Sequence, residues 1–211
     1  MPSISKEAKN GNHPTRQRLL DAVVGMMETT PPEDIHSEFV LTETGISRGS
    51  LYHHYEDFTE LLEDAMLFRF SEGVEESTRA IGKIVATATS REEFFSRLKE
   101  VTRATQARKR SDVRFDRARM LAMAQHNERF REKLGQVQDR LTDALTDCIA
   151  QAQMKGWANQ EVQARTLAVF IQAYTLGKVV DDVSREHMDD DDWDRLITLV
   201  VDRALSSTTT D

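Results

Sequence analysis

Apolar positions in this chain recur at intervals of three and four residues along most of its length, which predicts a largely helical protein with few strands. Residues 1–14 are the exception: polar, without a period, and holding Gly11 and Pro14, they read as a flexible arm carrying Lys6 and Lys9. Leu19, Val23 and Met26, flanked by Leu20 and Met27, then predict a first helix with Thr15 as its N-cap. Pro31-Pro32 ends it, because proline donates no backbone hydrogen bond and disfavours helical geometry in the residue before it. A second short helix is predicted from Ser37 to Thr44, stopped by Gly45, and a third is capped by Ser47 and runs to His54. Two short helices joined at Gly45-Ile46 make a helix-turn-helix. Phe39, Val40, Ile46, Leu51 and Tyr55 are expected to close a small core with helix one, leaving Arg48, Ser50, His53 and His54 to point outward.

The remaining helices are longer. Asp57 caps a run through Leu61, Leu62, Ala65 and Met66 toward Val85, and Ser90 opens another through Phe94, Leu98 and Val101. A third carries Phe115, Met120 and Met123; a fourth runs from Phe130 to Ile149 and stops at Gly156. Residues 160–181 and 192–205 are apolar on more than one face, which calls for a second partner. The pattern predicts an all-α chain: an arm over 1–14, a helix-turn-helix domain over 15–58, a larger helical domain over 59–206, and a tail over 207–211.

Composition narrows the function classes. With 211 residues and 39% hydrophobic content the chain can build one large or two modest cores. Its one cysteine, Cys148, excludes an internal disulfide framework and a cysteine-cluster metal site, and reads as a small buried hydrophobe. The N-terminal stretch lacks the apolar centre of a signal peptide and no run of about 18 apolar residues occurs, so a cytoplasmic protein is expected. A net charge of -8 argues against a protein that coats nucleic acid, since that affinity comes from neutralising phosphates. Residues 1–59 hold five Lys and Arg against nine Asp and Glu, a net of -4, so any DNA affinity should be modest or operator-selective rather than driven by charge.

The stretches TRQRLLDAV in helix one, TGISRGSLYHHYED across the turn and third helix, and the Leu61-Leu62 pair opening the next helix resemble the tetracycline-repressor (TetR) family of bacterial transcriptional regulators. The resemblance covers about the first quarter of the chain. It implies a homodimer built on the last two helices, a DNA-binding domain at the N-terminus of each subunit, and an effector pocket whose filling changes the spacing of the two reading heads. The implied partner is double-stranded operator DNA. An α-helix fits the major groove, where Arg48 can bind a guanine in bidentate fashion and His53 can donate to a base or phosphate. Thr15, Ser47, Arg48, Gly49, Ser50, Tyr52, His53 and His54 are the candidate DNA-binding residues. Phe58 stands where the family commonly has a lysine reaching a phosphate, and Glu38 and Glu43 lie on the second helix, so an alternative reading is a helical interaction module with weakened or lost DNA binding.

Residues 97–133 hold twelve Lys and Arg against five Asp and Glu, a local excess of +7. Pairing with the acidic residues at 181–182 and 189–192 is the simpler account; an anionic effector gripped by Arg103 or Arg117 is the sharper one. Phe94, Phe115, Met120, Met123, Phe170 and Tyr174 are the apolar candidates for lining an effector cavity. Leu167, Phe170, Ile171, Tyr174, Trp193, Leu196 and Val200 are the dimerisation candidates. The aspartates at 189–192 read as the start of the last helix, favoured by its dipole. Glu33 and His36 have one copy of a carboxylate–histidine spacing that an iron bundle needs twice, so no metal or other cofactor is expected. No nucleophile–base pair is visible, and an enzyme is not expected.

Overall fold

The computed structural model describes residues 13–205, so Lys6 and Lys9 of the arm and the 207–211 tail lie outside the described residues. The chain divides into two compact units, residues 1–72 and 73–211. Among the described residues all regular structure is helical, and no helix is long and apolar enough to cross a membrane.

The first unit contains α1 (Pro14–Met26), a 3-10 turn (Pro32–Asp34), α2 (Ser37–Thr44), α3 (Arg48–His54) and the start of α4 (Phe58–Thr87). Leu19, Val23, Val40, Leu51, Leu61 and Ala65 are fully buried, and Ile46 and Tyr55 complete the core. The unit runs past the expected boundary at 58 because the first turns of α4 supply Leu61, Ala65, Met66 and Leu67 to that core. Arg16 pairs with Asp64, and Arg69 donates to the Met27 carbonyl at 2.9 Å, fixing the same turns to α1.

Two expectations need correction. Thr15 lies inside the first turn of α1; His13 is the N-cap, its Nδ1 accepting from the Thr15 amide, and Pro14 takes the first helical position, where its missing N–H costs nothing. Phe39 is 60% exposed, because adjacent residues on a helix diverge by about 100° and the neighbouring Val40 takes the inward position.

The second unit holds the rest of α4, then α5 (Arg91–Gln106), a 3-10 turn (Arg108–Arg110), α6 (Ser111–His126), α7 (Glu128–Met154), α8 (Ala164–Gly177), the single turn α9 (Val179–Asp182) and α10 (Asp190–Leu205). Caps read from the sequence are made: Asp57 accepts from the Glu60 amide at 2.8 Å and Ser90 from the Glu93 amide at 3.2 Å. Ile84, Phe94, Leu98, Cys148, Ile149, Leu167, Ala168 and Ile197 share one core. Cys148 is 2% exposed, and burial pushes its thiol up to about 12.

The helix expected over 160–181 begins only at Ala164 and breaks after Gly177. Upstream, Gly156 turns the chain with φ 70°, and Gln153 Nε2 donates to the carbonyls of Asn159 and Val162 at 2.6 and 2.8 Å, replacing helical hydrogen bonds. At the break Lys178 is buried, its Nζ donating to the Gln106 carbonyl and to Asp190 Oδ1, both at 2.8 Å. Next to it Arg114 and Asp182, with side chains 4% and 2% exposed, form a bidentate pair.

Candidate nucleic-acid interface

The turn into α3 is built by short-range chemistry. Gly45 takes φ 65°, in the left-handed region, and ends α2. Ser47 stays extended and its Oγ accepts from the Ser50 amide at 3.2 Å, satisfying one of the helix's unpaired donors. Arg18 of α1 donates to the Thr44 carbonyl at 2.6 Å and ties the end of α2 to the rest of the unit. With Leu51 and Tyr55 facing the core, α3 presents Arg48, Gly49, Tyr52 and His53 on its exposed side, while Ser50 and His54 are half-buried.

The three histidines His13, His53 and His54 meet at one edge of this surface. His54 meets His13 at a tilt of 38° with ring centroids 4.5 Å apart and meets His53 edge-on at 5.1 Å. Burial, and then the proximity of His13, His53 and Arg16, holds the His54 imidazole below the usual histidine range, so it is neutral at neutral pH. His13 enters this cluster only because it caps α1.

Charge is sparse here. Sequence positions 13–59 contain three arginines and no lysine. Arg16 is committed to Asp64 and lies 4.8 Å from the centre of the Tyr55 ring, and burial pushes the Tyr55 hydroxyl up to about 12. Arg18 holds Thr44. Arg48 remains on the exposed face, and its Nη2 donates to Glu38 Oε1 of α2 at 2.9 Å. That contact spans ten residues and has no periodic signal in the sequence. The helical period excludes Phe39 and Val40 from facing one core together, without saying which of them turns outward.

In the second unit the effector candidates are dispersed. Phe94 and Met120 are buried, Phe94 packing edge-on against Phe95 at 5.3 Å. Phe115 and Phe170 are each 40% exposed, Met123 is half-buried, and Tyr174 meets Phe170 at 5.5 Å. Arg103 is paired with Asp194 at 2.7 Å on the surface. Arg117 Nη2 donates to the amide oxygens of Gln138 and Gln172 at 2.8 and 3.2 Å, and burial lowers its pKa. A groove of about 340 Å³ between α5 and α10 takes Arg103 into its wall, together with Lys99, Thr102 and Ile197. Part of the basic segment is matched by acidic neighbours: Arg108 with Asp190, Arg114 with Asp182, Lys99 with Asp202.

The dimerisation candidates split by direction. Leu167 is 4% exposed and faces its own core, which Ile171, Tyr174 and Trp193 also pack against. Phe170 and Leu196 face outward, and Val200 is half-buried. Val169, Val180, Val183 and Leu199, which the sequence reading left out, are 51–71% exposed and belong with the outward set.

No protein-family model matches the sequence. The nucleoid occlusion factor SlmA of Marinomonas sp. (strain MWYL1) is 24% identical over 177 residues, covering 81% of this chain and 83% of that protein. Among solved structures, GusR of Salmonella enterica superposes with a TM-score of 0.62 at 21% identity over 89% of this chain and 95% of its own. A regulatory protein of the tetR family from Rhodococcus RHA1 superposes with a TM-score of 0.58 at 14% identity over 93% of this chain and 100% of its own. Over this coverage the chain has the all-α fold of the TetR-family transcriptional regulators.

Proposed function

We propose that the chain is a ligand-responsive transcriptional repressor of the TetR family that binds palindromic operator DNA as a homodimer. The observation that carries this reading is the face of α3: a capped helix anchored by Leu51 and Tyr55 turns Arg48, Tyr52 and His53 to solvent, the side chains that meet bases and phosphates in a major groove. Ser47 and Thr15 lie at helix starts, where backbone amides favour a phosphate. A dimer pairing the outward apolar residues of α8–α10 would set two reading helices about 34–36 Å apart, or a multiple of that, to match successive grooves. Effector binding then needs only to favour a dimer geometry that no longer fits the operator. Arg117 supports an anionic effector, since a carboxylate displacing the neutral oxygens of Gln138 and Gln172 would form a charge-assisted bond in a desolvated setting.

The acidic head favours one alternative, a helical interaction module without operator binding. A gel shift against the DNA upstream of the chain's own gene, repeated across salt concentrations, separates the two. A regulator gives a discrete, competitor-resistant complex with a shallow salt dependence; an interaction module gives no complex that survives nonspecific competitor.

A further inference from the structure

Glu38 is the acidic residue paired with the proposed reading chemistry; its place in the first turn of α2 suits the helix dipole, but its partner is Arg48 of α3. The Glu38 and Arg48 side chains are 69% and 62% exposed, so water screens their attraction and the pair contributes little to folding. What the pair does is geometric. Arg48 is the first residue of α3, the end of a reading helix that approaches base edges, and one of its five N–H donors is taken by Glu38 Oε1. The remaining donors can still form the bidentate bond to guanine. Among the described residues Glu38 Oε2 accepts no hydrogen bond.

Building on the DNA-binding reading above, we infer that Glu38 is a specificity-determining residue: it fixes the Arg48 guanidinium through one oxygen and offers the other to the exocyclic amino group of a cytosine. A carboxylate accepts from cytosine N4; it is repelled by the acceptor oxygens of thymine and guanine, by backbone phosphates, and by the N7 acceptor that flanks the adenine N6 donor. The pair therefore reads guanine and an adjacent cytosine together, and it penalises DNA that lacks the donor. A net of -4 over residues 1–59 fits a head that rejects most duplexes and accepts few.

The test is selection from a pool of random duplex DNA by the full-length protein, with wild type, Glu38→Ala, Glu43→Ala and Arg48→Ala run in parallel. Glu43 is exposed on the same helix and carries the same charge, so it reports bulk charge alone. Wild type should enrich a palindrome with a guanine–cytosine step in each half-site. Glu38→Ala should keep the palindrome, lose roughly tenfold of the cytosine preference at that one position, and hold unrelated DNA more tightly than Glu43→Ala does. Arg48→Ala should relax the guanine beside it. The inference is overturned if Glu38→Ala returns the wild-type preferences, or if Glu43→Ala relaxes the same position equally. Wild type enriching no sequence at all would instead overturn the DNA-binding reading, and this inference with it.

Discussion

Arg48–Glu38 and Arg114–Asp182 are both arginine–carboxylate pairs, yet one sits in water and the other is almost wholly enclosed. Arg114 also donates to the carbonyls of Thr105 and Ala107 at 3.4 Å, so its guanidinium serves as a bolt across the end of α5. Once both charges are desolvated, neither can leave alone without stranding the other. The exposed pair has no such penalty: it adds little to folding and leaves the other Arg48 donors open to a further acceptor. Burial thus decides whether the same chemistry holds a domain together or stays available for recognition.

Four variants test that contrast, in descending size of effect. Arg114→Ala should cost about 3–5 kcal/mol of stability by leaving Asp182 buried and unpaired, seen as a lower urea midpoint. Combining Arg114→Met with Asp182→Leu should recover much of the loss, because the desolvation penalty goes with the charges. Arg48→Ala should shift the urea midpoint by the equivalent of less than about 1 kcal/mol while removing about 1–3 kcal/mol of operator selectivity in competition gel shifts. A stability loss as large as that of Arg114→Ala would erase the contrast. Ser47→Ala should cost about 1 kcal/mol through the lost cap on α3, read by the same denaturation.

The smallest effect concerns pH. The folded state holds His54 below its unfolded pKa, so the unfolded chain takes up a proton first as pH falls. The stability that neutral His54 provides is complete above the unfolded value of about 6.5 and declines as pH drops from there through the folded value. Wild type should therefore lose more thermal stability than His54→Gln between about pH 7.5 and 5.5. Equal losses in the two proteins would remove His54 as the cause.

Features that depend on a few neighbouring residues were legible in the sequence. Gly45, Ser47, Asp57 and Ser90 stop or start helices through bonds spanning at most four positions, and the residue types alone indicate them. His13 was missed because Pro14 reads as a breaker in an irregular arm, although proline is as much at home in the first turn of a helix. Phe39 was misplaced because eight residues are too few to fix the phase of a period near 3.6. The break after Gly177 was invisible, since it coincides with Lys178 reaching Gln106 and Asp190, partners 72 and 12 positions away. Within the candidate interface the exposed side of α3 followed from its caps and core positions, whereas the Glu38 contact required the fold.

Cys148 gives the larger unit a built-in clock. Its sulfur is shut inside the core and strongly disfavoured as a thiolate, so a maleimide or disulfide reagent can reach it only when that core opens. Because the chain has no other cysteine, the labelling rate counts opening events at a single known place. Ligands that bind and tighten this unit should slow the clock, so binding can be read from the labelling rate alone.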